Sequence, residues 1–137
     1  MAEVLCAVTV LAICMAGLMG ALANGFFNMR MTRENQRATQ ILMEQAEMIR
    51  LCKWDQVTNS GFIPTSFTAV YDPQAYGAGQ GVTYTGAVAI ASVPFTANYS
   101  GSMRQITLTL NWATKSVNRS RTLITYVAKD GLQNYVY

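Results

Sequence analysis

Val4 to Phe27 reads VLCAVTVLAICMAGLMGALANGFF, twenty-four residues interrupted only by Thr9, Asn24 and three glycines. At ~1.5 Å of rise per residue, a helix of this length crosses the ~30 Å hydrocarbon core of a bilayer, so the segment reads as a transmembrane span. Charge sharpens that reading. From Met1 to Met29 the only charged residue is Glu3, and the other sixteen all lie from Arg30 onward. A cleavable secretory signal is the competing reading, and Ala21-Leu22-Ala23 supplies the small-x-small pattern that signal peptidase favours. Yet an acid stands where a signal carries its basic region, and the run is long for a signal's apolar core. A retained span is expected.

Beyond Arg30 the helical period continues while the chemistry changes. Ala38, Ile41, Leu42, Gln45/Ala46, Ile49 and Cys52 recur at steps of three and four, with Arg33, Arg37, Glu44, Glu47 and Arg50 mainly on other sides. No proline occurs before Pro64, and NMRMTRENQRATQ contains no glycine. The apolar and amphipathic halves are therefore expected to form one helix from about Ala2 to Trp54, ~80 Å long at helical rise. A small domain cannot bury such a helix along its whole length.

From Asp55 to Tyr137 the composition shifts to Gly, Ser, Thr, Asn, Val and Tyr, which favours strands and turns. TNSGFIPTSF and YDPQAYGAGQG, with their prolines and glycines, read as loop. Val82 to Ile90, Val93 to Tyr99, Gln105 to Trp112 and Arg121 to Ala128 read as strands. Ile106, Leu108, Leu110 and Trp112 share one face, and Tyr126 or Val127 marks an irregularity. The last two strands are expected to form a hairpin across ATKSVNRS. A meander of about four antiparallel strands has one apolar face to cover, and the amphipathic half-helix is the element available to cover it. The expected class is α+β: an apolar span over residues 1–28, an amphipathic helix over 29–54 packed on the head, and a loop and antiparallel sheet over 55–137.

Composition narrows the function. Across 137 residues, hydrophobic side chains make up 51% and charged ones 12%, about half the charge of an average soluble domain. Histidine is absent, which removes the commonest general base near neutral pH and the commonest nitrogen ligand for transition metals. No glycine-rich phosphate loop, metal-ligand spacing or paired-carboxylate motif is present; Glu44 and Glu47, one turn apart, read as solvated surface charge. An enzyme, a cofactor and a metal are not expected. The net charge of +3 is too small and scattered for a nucleic-acid footprint. Cys6 and Cys14 lie too far apart on one helix to bridge and read as small packing residues; Cys52 has no other cysteine in the head and reads as a buried free thiol, with an intersubunit bond as the alternative. Phe26, Phe27, Trp54, Tyr135 and Tyr137 read as packing aromatics.

MAEVLCAVTVLAICMAGLMGALANGFF followed by an amphipathic helix resembles the mature N-terminal region of type IV pilins and type II secretion pseudopilins. ATQILMEQAEMIRLCKW is similar to the later helix of that family, and QITLTLNW with SRTLITYVA resembles the closing hairpin of several minor pilins and pseudopilins. In the family a dedicated prepilin peptidase removes a leader, the new N-terminus is commonly methylated, and a glutamate at the fifth mature position is the hallmark. Glu3 matches that glutamate with an offset of two residues. The resemblance implies a homo-oligomer: subunits wait in the inner membrane, and an assembly machine then builds them into an extracellular helical filament with apolar helices inside and heads outside.

Under that reading Glu3 pairs with a neighbour's α-ammonium group, which offsets the cost of an apolar-phase carboxylate and sets the stagger between subunits. Gly17, Gly20 and Gly25 serve close helix packing, through Ala16 to Gly20 and Gly17 to Ala21, or local melting between Ala16 and Gly25 on assembly. Asn98-Tyr99-Ser100 and Asn118-Arg119-Ser120 are formal glycosylation sequons. The alternatives are a minor pilin or type II secretion pseudopilin, and a monomeric membrane-anchored binding module. The yield of the chain in sheared filaments separates them.

Overall fold

The structure, a computed structural model, describes residues 1–131. Tyr135 and Tyr137 lie outside the described residues. The chain divides into two compact units, Met1–Asn35 and the chain from Gln36 onward. Helix α1, Ala2–Arg50, makes up the first and opens the second. It closes at Arg50 rather than Trp54: Leu51 N still donates to Glu47 O at 3.1 Å, but Cys52 N donates to Ile49 O, and Lys53 is extended at φ −64°, ψ 154°. Helix α2, Trp54–Thr58, then restarts, with Gln56 Oε1 accepting from Lys53 N at 2.8 Å. That side chain satisfies an amide that a helix start leaves orphaned.

Four strands follow, β1 Ser66–Val70, β2 Thr83–Ser92, β3 Met103–Thr114 and β4 Val117–Ala128, in the order β1-β2-β3-β4 with every neighbour antiparallel. The α+β architecture is the one expected; two strand assignments are not. Val93 to Tyr99 is no strand. Pro94 removes a ladder donor there, and the chain turns, with Ser100 N donating to Ala97 O at 3.0 Å. The missing strand is instead β1, within the segment read as loop. Pro64 lies just ahead of it, where its absent N–H takes nothing from the ladder. Nor is β4 irregular. Its register against β3 runs unbroken from Met103↔Ala128 to Thr114↔Val117, so Val127 points inward and Tyr126 outward. The β3–β4 turn is only Lys115 and Ser116, with Lys115 at φ +56°.

The core of the second unit lies between the sheet and the α1 residues that enter it. Ala38, Ile41, Leu42, Ala46 and Ile49 of α1 are buried, as are Tyr84, Ile106, Leu108, Leu110 and Trp112 of the sheet. Each fully buried Leu or Ile contributes roughly 1.5–3 kcal/mol. Tyr84 and Trp112 stand opposite each other across β2 and β3, ring centroids 5.5 Å apart. The Phe67 ring covers Gly86, its directly paired neighbour, and occupies the space a β-carbon there would need.

The two faces of the sheet differ in charge. Arg104, Arg119 and Arg121 share the inward register with Ile106, Leu108 and Leu123. The outward register carries Thr68, Thr85, Asn111 and Ser120 in one row and Ser66, Ala87, Thr109 and Thr122 in the next. No strand position on that outer face holds a charged residue.

Candidate functional site

The first unit presents the expected assembly segment as uninterrupted helix. Its apolar stretch is long and apolar enough to cross a membrane, a test of length and composition that a signal sequence also meets, and none of it is buried. Leu5, Leu11, Ile13, Leu18 and Met19 are all exposed by more than half. Leaving so many large apolar side chains in water costs roughly 1.5–3 kcal/mol apiece, so the segment needs an apolar surrounding. Glu3 is exposed in the first turn, where a negative charge complements the helix dipole. Thr9 Oγ1 donates to Cys6 O at 2.8 Å, which satisfies its hydroxyl within the helix.

Gly17, Gly20 and Gly25 have open space where a β-carbon would stand. Gly17, Gly20 and Ala21 fall within about 100° of one another around the helix and form a low lane against which a second helix backbone can come close. The helix of the single chain continues through Ala16 to Gly25. The melting reading concerns the assembled filament. Cys6 and Cys14 are free and exposed; Cys52 is free and half-buried, its Sγ 3.4 Å from Met48 O. Asn98 is exposed in the β2–β3 connection and Asn118 is exposed on β4 next to the turn.

Several features escape a reading of the sequence. Glu34 is the most buried acid among the described residues, 3% exposed, and Arg30 Nε donates to its Oε1 at 3.0 Å. The four-residue spacing is the available signal. In the second unit Arg37 donates to Glu44 at 3.2 Å, and Arg121 to Thr39 Oγ1 at 2.6 Å. Arg104 lies over the Trp54 ring, 5.5 Å from its centroid, and donates to Met103 O at 3.0 Å. Arg37 Nε, Trp112 Nε1 and Arg119 Nε are buried and make no hydrogen bond. Alternation along β4, which puts Arg119 and Arg121 on the Leu123 face, is the signal for the two sheet arginines.

A cleft of ≈ 340 Å³ opens beside α2, lined by Val57, Asn59, Ile63, Val88, Ile90 and Arg104 among others. Among the described residues that line it, Arg104 is the one charged side chain, and no acid or cysteine is among them. Among the described residues no group of acids and cysteines is placed to hold a metal. Compared with known protein families, curated proteins and solved structures, the chain finds no match.

Proposed function

We propose that this chain is a structural subunit of a type IV pilus-like helical filament. One observation carries the reading: the apolar first part of α1 is exposed along its length, and the core that the later part of the same helix builds with the sheet begins only at Ala38. Such a helix has two apolar surroundings open to it. Lipid takes it before assembly, as a single span of the inner membrane; identical helices take it afterwards, in the core of an extracellular fibre. The small-residue lane at Gly17 and Gly20 supports close packing in that core. Prepilin peptidase and the inner-membrane assembly machine enter with this reading, as does the α-ammonium partner for Glu3. A neighbour's amine offsets the desolvation of the carboxylate and fixes register at the same time.

The test is incorporation. Glu3→Gln and Glu3→Ala should leave the amount of subunit in membranes unchanged and lower its recovery in sheared filaments at least tenfold, which corresponds to about 1.4 kcal/mol at the assembly step. Filament yield equal to wild type would remove Glu3 from the mechanism. Recovery at substoichiometric levels would instead mark a minor pilin or pseudopilin. A chain found only as a monomer in membranes would mark an anchored binding module.

A further inference from the structure

Strand β2 outruns its neighbour. β1 pairs with it only from Val70↔Thr83 to Ser66↔Ala87, whereas β2 continues to Ser92. Val88 N still donates across, to Thr65 O at 2.8 Å, and among the described residues no later residue of β2 finds a backbone partner on that side. Backbone groups facing one side alternate along a strand, so the N–H and C=O of Ile90 and the N–H of Ser92 face the same way as Val88 N. Ile90 and Ser92 are both exposed.

The cleft of ≈ 340 Å³ beside α2 opens at this unpaired edge, with Ile90 and Ser92 in its lining. Val57, Ile63 and Val88 give it an apolar side, and Val57 and Val88 are themselves buried. Arg104, the cross-strand partner of Ser92, supplies the charge. Its guanidinium is held in place: Nη1 donates to Met103 O at 3.0 Å and to Gly101 O at 3.5 Å, and the guanidinium carbon stands 5.5 Å from the Trp54 ring centroid. Nε and Nη2 make no hydrogen bond or ion pair among the described residues. All of these residues belong to the second unit.

We infer that the cleft takes an extended peptide segment of a partner protein, which adds to β2 where β1 leaves off, antiparallel to it, with a glutamate opposite Ser92 and an apolar residue two positions later opposite Ile90. The apolar residue exchanges both backbone hydrogen bonds with Ile90, and Ser92 N–H donates to the glutamate's carbonyl. Both side chains then share the inward register of Ile90 and Ser92, the apolar one against Val57, Ile63 and Val88. The carboxylate passes over Ser92, whose side chain is too small to block it, and meets Arg104 one strand further on. At ~4.8 Å between strands the two Cα atoms stand ~10 Å apart, a gap that a glutamate and an arginine close together. The free Nε and Nη2 edge of the guanidinium takes the carboxylate by paired N–H donors. The residue between glutamate and apolar anchor faces the uncharged outer side of the sheet and is free to vary.

The test is a titration of the full, isotope-labelled chain in detergent micelles with a blocked synthetic pentapeptide, Thr-Glu-Thr-Leu-Thr, followed by nuclear magnetic resonance. Saturable shifts are expected at the amides of Ile90 and Ser92 and at Arg104 Nε–H, with amide hydrogen exchange at Ile90 and Ser92 slowed about tenfold or more. Replacing the peptide's glutamate by glutamine should weaken binding about tenfold, and so should Arg104→Gln in the chain, because each removes one side of the same charged pair. Against Arg104→Gln the two peptides should bind alike. A peptide N-methylated at its leucine cannot donate to Ile90 O and should not bind. The glutamine and N-methylated peptides are read on the wild-type chain, so the outcome does not depend on how well Arg104→Gln folds. No saturable shift at Ile90 and Ser92, equal binding of the N-methylated peptide, or equal binding of the glutamine peptide to the wild-type chain overturns the proposal. So does slow exchange at Ile90 and Ser92 in the chain alone, which would mean that the edge is already filled by a second copy or by another segment of this chain.

Discussion

Gly86 stands in the middle of β2 with the Phe67 ring lying where its side chain would be. Aromatic cover of this kind restores the packing that a strand glycine forfeits, and it makes the position intolerant of growth. Gly86→Ala should destabilise the head by about 1–3 kcal/mol, a fall of several degrees in thermal midpoint by circular dichroism. Adding Phe67→Ala should recover part of that loss, because the two groups compete for one space, so the double variant should cost less than the sum of the singles. The pairing is invisible in the sequence, since nothing in SFTAV or TYTGAV announces which residues meet. Glu3 is visible at once. A lone acid beside an apolar run stands out without any structure, whereas a buried Glu34 is known only from what surrounds it.

Among the elements, β3 is legible and β1 is not, and the reason is burial. Ile106, Leu108, Leu110 and Trp112 alternate because one side of β3 packs on α1 while the other meets water, and that contrast is written into residue type. β1 is five residues long at the sheet edge, with no apolar alternation strong enough to read. The stretch from Val93 to Tyr99 misleads in the opposite sense. Its valine and aromatics imitate a strand, but Phe95 and Tyr99 pair with each other at 6.2 Å, and Phe95 with Tyr126 at 6.5 Å, in a turn broken by Pro94. The two sides of the β3–β4 ribbon give a direct comparison. Leu108→Ala, at a fully buried position, should cost about 2–5 kcal/mol in a urea melt. Ile124→Ala, on the outer side of β4 and 52% exposed, should change stability by no more than about 0.5 kcal/mol.

At the scale of the molecule, the division of labour falls inside one helix. Among the described residues the buried hydrophobic core runs from Ala38 to Val127, all within the second unit. Removing residues 1–29 should therefore leave a head that stays in solution without detergent, keeps the near-ultraviolet signal of the Tyr84–Trp112 pair, and unfolds cooperatively. A molten spectrum from that fragment would show that the head needs its span in order to fold. The span itself is readable from composition because it obeys a single rule over twenty-four residues. The gathering of Lys115, Arg119 and Arg121 about the β3–β4 turn is not, because it follows only once the turn and the register are known. The outer side of the sheet leads elsewhere. With hydroxyls, amides and methyls but no ionised group, it gives dissolved ions and protons nothing to bind. A contact made there would draw on shape and on apolar groups such as Ile124, with no charge on the sheet for salt to screen.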